Sequence, residues 1–215
     1  MLRFLKITYI TFLFFAASLF GEQTDERLNA GLLYKTGLKS FSEGNFAASS
    51  KYFSEFASRY SEEEIMQKIM PKVYYVLGCS YYNLRKMEEA VTAFDKYIAF
   101  APEGKFVEDV LFRKANALRF LQKYEKAISV YKKLLTKFPK SKNKEEILFQ
   151  TAVCYLAGDK FKEAAPILKN IVDKNQKGIV TDTSAAYLLR CYNLTGNYDE
   201  ALNLLKKISK QISLF

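Results

Sequence analysis

Residues 124–139 read YEKAISVYKKLLTKFP, and the rest of the chain repeats the pattern in this stretch. Ala127, Tyr131 and Leu134 follow one another at spacings of four and three residues, which places them on one face of an α-helix. Pro139 comes twelve residues after Ala127, where the helix is expected to stop. The same pattern recurs around four other small residues, namely Ser49, Ala90, Ala164 and Ala201.

These small residues mark an internal repeat, because they lie 41, 37, 37 and 37 residues apart. A second apolar stripe precedes each of them. Its central residue lies twelve positions earlier and is Gly37, Gly78, Ala115, Ala152 or Leu189. Each repeat is therefore predicted to be a helix A, a short turn and a helix B. We predict an all-α solenoid of five such hairpins and no strand, with repeats at about 30–61, 71–102, 108–139, 145–176 and 182–212.

Two polar residues are predicted to be the N-caps of A helices. Ser61 is followed three positions later by Glu64, which is the capping-box pattern, and this pair is assigned to helix A of the second repeat. Asn143 and Glu146 have the same spacing and are assigned to helix A of the fourth repeat.

Composition excludes several kinds of site. Among 215 residues, 49% are hydrophobic and 26% are charged, which is typical of a globular chain. There is no His, so His-based triads and His-ligated zinc or haem are excluded. Cys79, Cys154 and Cys191 cannot form a four-thiolate zinc site, and we expect them to be free, buried thiols because neighbouring helices stand too far apart for a disulfide. We predict no cofactor, no metal site and no catalytic activity.

Residues 1–21, MLRFLKITYITFLFFAASLFG, have the layout of a secretory signal peptide. Two basic residues precede the uncharged run at 7–20, which is shorter than the about 20 residues that cross a membrane as a helix. Cleavage is expected after Gly21, or three residues earlier. Residues 22–29 then form a short segment before a repeat domain at 30–215. The prediction is an exported protein, and the alternative is an uncleaved anchor in the inner membrane.

Several of these residues resemble the tetratricopeptide repeat. The likeness rests on Gly78, Tyr81, Ala90, Phe94 and Pro102 of the second repeat and on the turns at 44–46 and 196–198. The 37-residue spacing is similar to that of bacterial envelope proteins of the BamD-like and CpoB-like type. This resemblance implies a right-handed superhelix whose A helices line a concave groove. It also implies a scaffold that binds another protein in outer-membrane assembly or maintenance of the cell envelope.

The A helices have a second face that differs from an ordinary solvated one. Positions three before, one after and four after the repeated small residue carry aromatic rings, Arg and Asn in place of Lys, Glu and Gln. The residues predicted to bind a partner peptide are Tyr34, Leu38, Phe41, Tyr75, Tyr82, Phe112, Arg113, Asn116, Arg119, Phe149 and Arg190. Rings would bury peptide side chains, while Arg and Asn would bind the peptide backbone or acidic groups. The alternative is that superhelical curvature buries these rings as core.

The formal net charge of +10 comes mainly from lysine, since only 7 of the 33 basic residues are Arg. Arg is the better reader of bases and phosphates, so this balance favours a solvated surface over a nucleic-acid site. The lysine cluster that ends the third repeat is interpreted as a solubilising face and includes Lys132, Lys133, Lys137 and Lys140. The alternatives are peripheral contact with anionic lipid headgroups and a basic module that binds a polyanion.

Overall fold

The computed structural model describes residues 28–174 and 178–212, and these form ten α-helices and no strand. The helices are α1 (28–42), α2 (Phe46–Tyr60), α3 (Met70–Asn83), α4 (Met87–Phe100), α5 (Val107–Phe120), α6 (Tyr124–Lys137), α7 (Lys144–Ala157), α8 (Phe161–Asp173), α9 (Ile179–Thr195) and α10 (Tyr198–Ile212). The all-α prediction is thus confirmed for the described residues. None of the described helices is long and apolar enough to cross a membrane. The predicted export segment, residues 1–21, lies outside the described residues.

Consecutive helices form five hairpins, with odd-numbered A helices and even-numbered B helices. One residue in each turn adopts the left-handed conformation, namely Gly44, Arg85, Gln122, Asp159 and Gly196. The backbone N–H of the next residue then donates to a carbonyl five residues earlier, as Lys86 does to Tyr81 at 2.9 Å. This bond closes the end of each A helix and reverses the chain within three residues.

Within a hairpin, a small residue of helix A meets a large side chain of helix B. A Cβ atom added to Gly78 would lie 2.5 Å from Cε1 of Phe94, and one added to Gly37 would lie 2.8 Å from Cε2 of Phe53. Alanines hold the equivalent positions of the next two repeats and are fully buried, namely Ala115 and Ala152. The repeated small residue of helix A therefore permits the close approach of the two helices.

The hairpins stack because each B helix also packs against the next A helix, from α2 on α3 to α8 on α9. Successive A helices from α3 to α9 contact one another, whereas no two of the B helices from α2 onward pack as closely. Stacking is therefore tighter on the A side, which places the A helices on the concave side of the solenoid.

Helix A of the second repeat begins later than its capping pattern predicts. Ser61 is the C-cap of α2, and its backbone N–H donates to the Ala57 carbonyl at 3.3 Å. A short 3-10 helix follows at Glu64–Met66, and α3 begins only at Met70, with a proline in its first turn. The N-cap prediction for Ser61 is therefore wrong, and the extra residues of the first interval lie in this connection.

Asn143 occupies the N-cap position of α7, as predicted, but its side chain makes no capping hydrogen bond. Its backbone N–H donates to Oγ of Ser141 at 3.1 Å. Ser141 in turn donates from that hydroxyl to Oε1 of Glu108 at 2.6 Å, which ties the start of α7 to α5. Contact with the preceding repeat, more than local capping, thus fixes where α7 begins.

Buried apolar side chains form two hydrophobic clusters. The first extends from α1 to α7 and the second from α7 to α10. Helix α7 belongs to both, because Ile147 and Cys154 lie in the first cluster and Ala152 lies in the second.

Candidate binding groove

The predicted groove residues lie along the A helices on the concave side. All are half-buried except Arg190, which is exposed. Those of the first three repeats with apolar or aromatic side chains rest on the first hydrophobic cluster, and Phe149 rests on the second. The rings therefore support the core with one part of their surface and leave another part accessible.

The centre of the groove holds an ion pair between side chains of α5. Nε of Arg113 donates to Oδ2 of Asp109 at 2.7 Å, and the hydroxyl of Tyr75 on α3 donates to the same oxygen at 3.1 Å. The guanidinium of Arg113 also lies 5.8 Å from the centroid of the Tyr82 ring. These contacts bind α3 to α5 across the groove. Asp109 was not among the residues predicted for the groove, although its i,i+4 spacing from Arg113 is a signal for such a pair.

Burial and this ion pair together shift the pKa values of Arg113 and Tyr75 at the centre of the groove. Burial opposes the charge of Arg113, but the hydrogen bond and negative charge of Asp109 outweigh it and raise the pKa of Arg113. Burial, together with the nearby Cys79 and Asp109, raises the pKa of Tyr75. At neutral pH the centre of the groove therefore carries a charged guanidinium and a protonated phenol.

A second set of polar side chains lies beside this ion pair, where α5 meets α6, and is called the second polar group. The hydroxyl of Tyr131 donates to Oδ1 of Asn116 at 2.6 Å. Arg119 lies close enough that its charge and hydrogen bond act on the Tyr131 hydroxyl, although burial dominates and raises the pKa of Tyr131. Nε of Arg119 is buried and has no hydrogen-bond partner among the described residues. An unsatisfied buried donor is uncommon in a folded protein, so the guanidinium retains unused hydrogen-bonding capacity.

The hydroxyl of Tyr131 is a second functional group of the groove that was not predicted. Tyr131 lies on the packing stripe of helix B, where the neighbouring repeats have Phe94 and Leu168. Because only Tyr131 of these three has a hydroxyl, the sequence did contain a signal for a polar partner at this position.

Phe112 borders a hollow of about 230 Å³ between the third and fourth repeats. Leu134 and Ile147 form an apolar part of its wall, and Asp109 places a carboxylate there. The Phe112 ring centroid lies 6.5 Å from that of Tyr131, which links the hollow to the second polar group. The hollow can therefore take an apolar side chain beside a hydrogen-bond acceptor.

The lysines at the end of the third repeat have partners within the chain. Nζ of Lys137 lies 2.7 Å from Oε1 of Glu103 and donates to the Pro102 carbonyl at 2.5 Å. Nζ of Lys132 lies 5.7 Å from the centroid of the Tyr155 ring. Lys133 and Lys140 are exposed. Part of this positive charge is thus neutralised by, or packed against, neighbouring repeats.

Cys79, Cys154 and Cys191 are buried and unpaired. Burial raises the pKa of the Cys79 and Cys154 thiols to about 11, and it also raises the pKa of Cys191. All three are therefore protonated at neutral pH and pack as small apolar groups. Among the residues with described side chains, no group of three or more Cys, Asp or Glu could hold a metal ion.

Alkali is expected to destabilise the fold. A group whose pKa is higher in the folded than in the unfolded chain stabilises below its unfolded pKa, and that contribution is lost as pH rises towards the folded value. For Cys79 and Cys154 these values are 9.0 and about 11, so the free energy of unfolding should fall across this interval. Urea unfolding at about pH 8 and pH 10.5 measures the fall. It should be smaller in the Cys79→Ala/Cys154→Ala variant, and an equal fall in both proteins would contradict the assignment.

Comparisons with known proteins agree with the repeat structure. A tetratricopeptide-repeat family model matches residues 71–103. A model described as anaphase-promoting complex, cyclosome, subunit 3, matches residues 120–208. No curated protein has a significant match to the sequence.

Solved structures share the fold at low sequence identity. MamA (41-end) from Desulfovibrio magneticus RS-1 superposes with a TM-score of 0.63 at 19% identity, over 85% of this chain and 94% of that one. A tetratricopeptide repeat protein from Parabacteroides merdae superposes with a TM-score of 0.61 at 16% identity, over 86% of this chain and 67% of that one. The family model thus identifies a tetratricopeptide repeat at residues 71–103. The five stacked hairpins have the same fold as these solved structures, which is a solenoid of the tetratricopeptide-repeat kind.

Proposed function

We propose that this chain is a non-catalytic scaffold that holds a segment of a partner protein in its concave groove. The observation that carries the proposal is the lining of that groove, where half-buried aromatic rings alternate with Arg113, Asn116 and Arg119. Accessible rings can bury side chains of a peptide, and guanidinium and amide groups can bind its carbonyls and carboxylates. Histidine, which many catalytic mechanisms use, is absent from the sequence.

The spacing of the A helices defines the kind of segment that fits. Neighbouring packed helices stand about 8–10 Å apart, and an extended peptide rises about 3.3 Å per residue, so about every third residue would reach a new repeat. A segment that contacts Tyr34 at one end and Phe149 at the other would therefore be about ten residues long. The unused donor capacity of Arg119 favours an acidic or carbonyl group of the peptide at the third repeat.

We further propose that the protein is exported and acts in the bacterial cell envelope, in outer-membrane assembly or maintenance. The signal-peptide layout of residues 1–21 and the resemblance to BamD-like and CpoB-like proteins support this location. The alternative is that residues 1–21 stay attached and hold the repeats at the inner membrane as a docking adaptor. Intact-mass measurement of the chain from its native cells separates the two. Loss of the first 18 or 21 residues supports export, and retention supports the anchor.

Phe112→Ala is expected to weaken peptide binding by about 2 kcal/mol, or about thirtyfold in Kd, because it removes an accessible ring beside the hollow. The probes are twelve-residue peptides selected from a random display library on the unmodified protein. Their affinities for each variant are measured by calorimetric titration. Phe100→Ala is the matched control, since Phe100 is a partly exposed ring on the B helix α4.

Peptides that occupy the groove should bind the Phe100→Ala variant with nearly unchanged affinity. Peptides that lose no affinity in the Phe112→Ala variant, or that lose as much in the control, would contradict binding in the groove. Raising the salt concentration separates this proposal from the polyanion-binding alternative, in which the affinity falls steeply with salt.

A further inference from the structure

The last helix, α10, carries an apolar stripe that no described residue covers. Tyr198, Leu202 and Leu205 are 68%, 51% and 50% exposed. Their spacing of four and three residues places them on one face of the helix. Beside this stripe, Ala201 and Leu204 are buried in the second hydrophobic cluster. The apolar side of α10 is therefore covered along one edge and open along the other.

In earlier repeats the equivalent positions are buried or half-buried. Phe94, Tyr131 and Leu168 occupy the position of Leu205, and each is 0% exposed. Ile128 occupies the position of Leu202 and is 4% exposed. Phe94 packs against Gly78 of its own hairpin, and α4, α6 and α8 each also pack against a following A helix. Helix α10 has no following helix among the described residues and packs less extensively on α9 than earlier B helices do on their A helices. We call the contact between a B helix and the following A helix a junction, and the chain forms four of them. The stripe on α10 is thus one half of such a junction.

The other half of this junction is the face of each A helix that meets the preceding B helix. Contacts across two junctions identify it. Oγ of Ser80 donates to Oγ of Ser49 at 3.2 Å between α3 and α2, and Lys114 on α5 pairs with Asp95 on α4. Val73 lies two turns before Ser80 on the same face of α3, and Val110 lies one turn before Lys114 on the same face of α5. Both valines are 0% exposed.

Helix α1 presents the same face, and no helix among residues 28–174 and 178–212 covers it. Leu32 occupies the position of Val73 and Val110, yet it is 63% exposed. Leu28, one turn earlier, is 74% exposed. The two ends of the solenoid therefore carry the two complementary halves of its internal junction.

We propose that α10 of one copy stacks on α1 of a second copy, as each B helix stacks on the next A helix within the chain. A second copy is the occupant because this chain itself carries both halves, and four internal junctions show that such faces pack together. The contact joins different surfaces on the two copies, so it is heterologous and the assembly is open-ended. It uses the ends of the solenoid and leaves the concave groove free.

Two blocking variants of the full chain test this proposal. Leu205→Glu places a carboxylate on the α10 stripe, and Leu32→Glu places one on the α1 face. Ile65→Glu is the control, because Ile65 is 60% exposed in the connection between the first two repeats and belongs to neither end. Circular dichroism melts check that all variants fold. Native mass spectrometry after release from mild detergent, which shields the apolar run at 7–20, counts the chains in each particle.

We expect the unmodified chain and the control to form oligomers whose mean size grows with concentration. Each blocking variant alone should be monomeric. An equimolar mixture of the two should give one-to-one dimers and nothing larger, because only one open α10 face and one open α1 face remain. The proposal is overturned if the unmodified chain stays monomeric at about 100 μM. It is equally overturned if Leu32→Glu dimerises by itself, or if a variant with both substitutions still associates.

Discussion

Truncation of Phe94 to Ala is expected to lower the free energy of unfolding by about 3–5 kcal/mol, whereas Phe112→Ala should cost only about 1–2 kcal/mol. Phe94 is fully buried and fills the space that Gly78 leaves, so its removal creates a closed cavity. Phe112 is half-buried and already borders a hollow, so its removal enlarges an open space. Urea unfolding followed by helical circular dichroism measures both losses.

The comparison of these two rings also tests the proposed function. Phe100→Ala supplies a reference for truncating a partly exposed ring outside the groove. If Phe112→Ala costs as much stability as Phe94→Ala, the concave rings belong to the core and the groove proposal loses its main support.

Gly78→Ala is expected to destabilise the protein by about 3 kcal/mol, even though Ala is the better helix former by about 1 kcal/mol. The added Cβ would lie 2.5 Å from Cε1 and 2.6 Å from Cδ1 of Phe94. That ring is fully buried and cannot swing into solvent, so the two helices would have to separate. The same unfolding measurement gives the loss.

A compensating substitution provides the control for Gly78→Ala. The fourth repeat carries Ala152 and Leu168 at the positions that Gly78 and Phe94 hold in the second. The double variant Gly78→Ala/Phe94→Leu copies this pair, and it should be about 1–2 kcal/mol more stable than the two single effects predict together. Strictly additive losses would show that the two positions are not matched.

The packing stripe could be predicted from sequence because its cause is local and repeated. Where two helices approach closely, one must carry a small residue. Helix A has such a residue at the same position in the first four hairpins, whereas the fifth has Leu189 there. Gly37 and Gly78, each opposite a buried Phe, show the demand most directly. A period of 37 residues is visible because this contact is made anew in each repeat.

The start of α3 could not be predicted from the capping pattern alone. A polar residue followed by Glu three positions later can open a helix, but Ser61 instead closes the preceding one. The sequence between α2 and α3 holds two signals for a helix start, the capping pattern at Ser61 and the proline at Pro71. Helix α3 begins at the second, because proline suits the first turn of a helix.

The sequence predicts which helical faces line the groove, but it does not predict the hydrogen bonds between their side chains. Helical periodicity places Tyr75 and Arg113 on the concave sides of their own helices. It does not give the distance between Tyr75 and Asp109, which lie 34 residues apart and share a hydrogen bond. That distance depends on how two repeats stack, which a single helix does not encode. The pairing of Arg113 with Asp109 also means that a partner carboxylate would compete with one already present.

The sharing of α7 between two hydrophobic clusters has a consequence for how the solenoid opens. Repeats whose buried side chains form a separate cluster can unfold as a unit while the remainder stays folded. Helices α9 and α10 could then exchange their amide hydrogens with solvent without exposing the interior of the first three repeats. A peptide bound across α7 would clamp the two parts together, so occupancy of the groove would be visible as slower exchange far from the peptide itself.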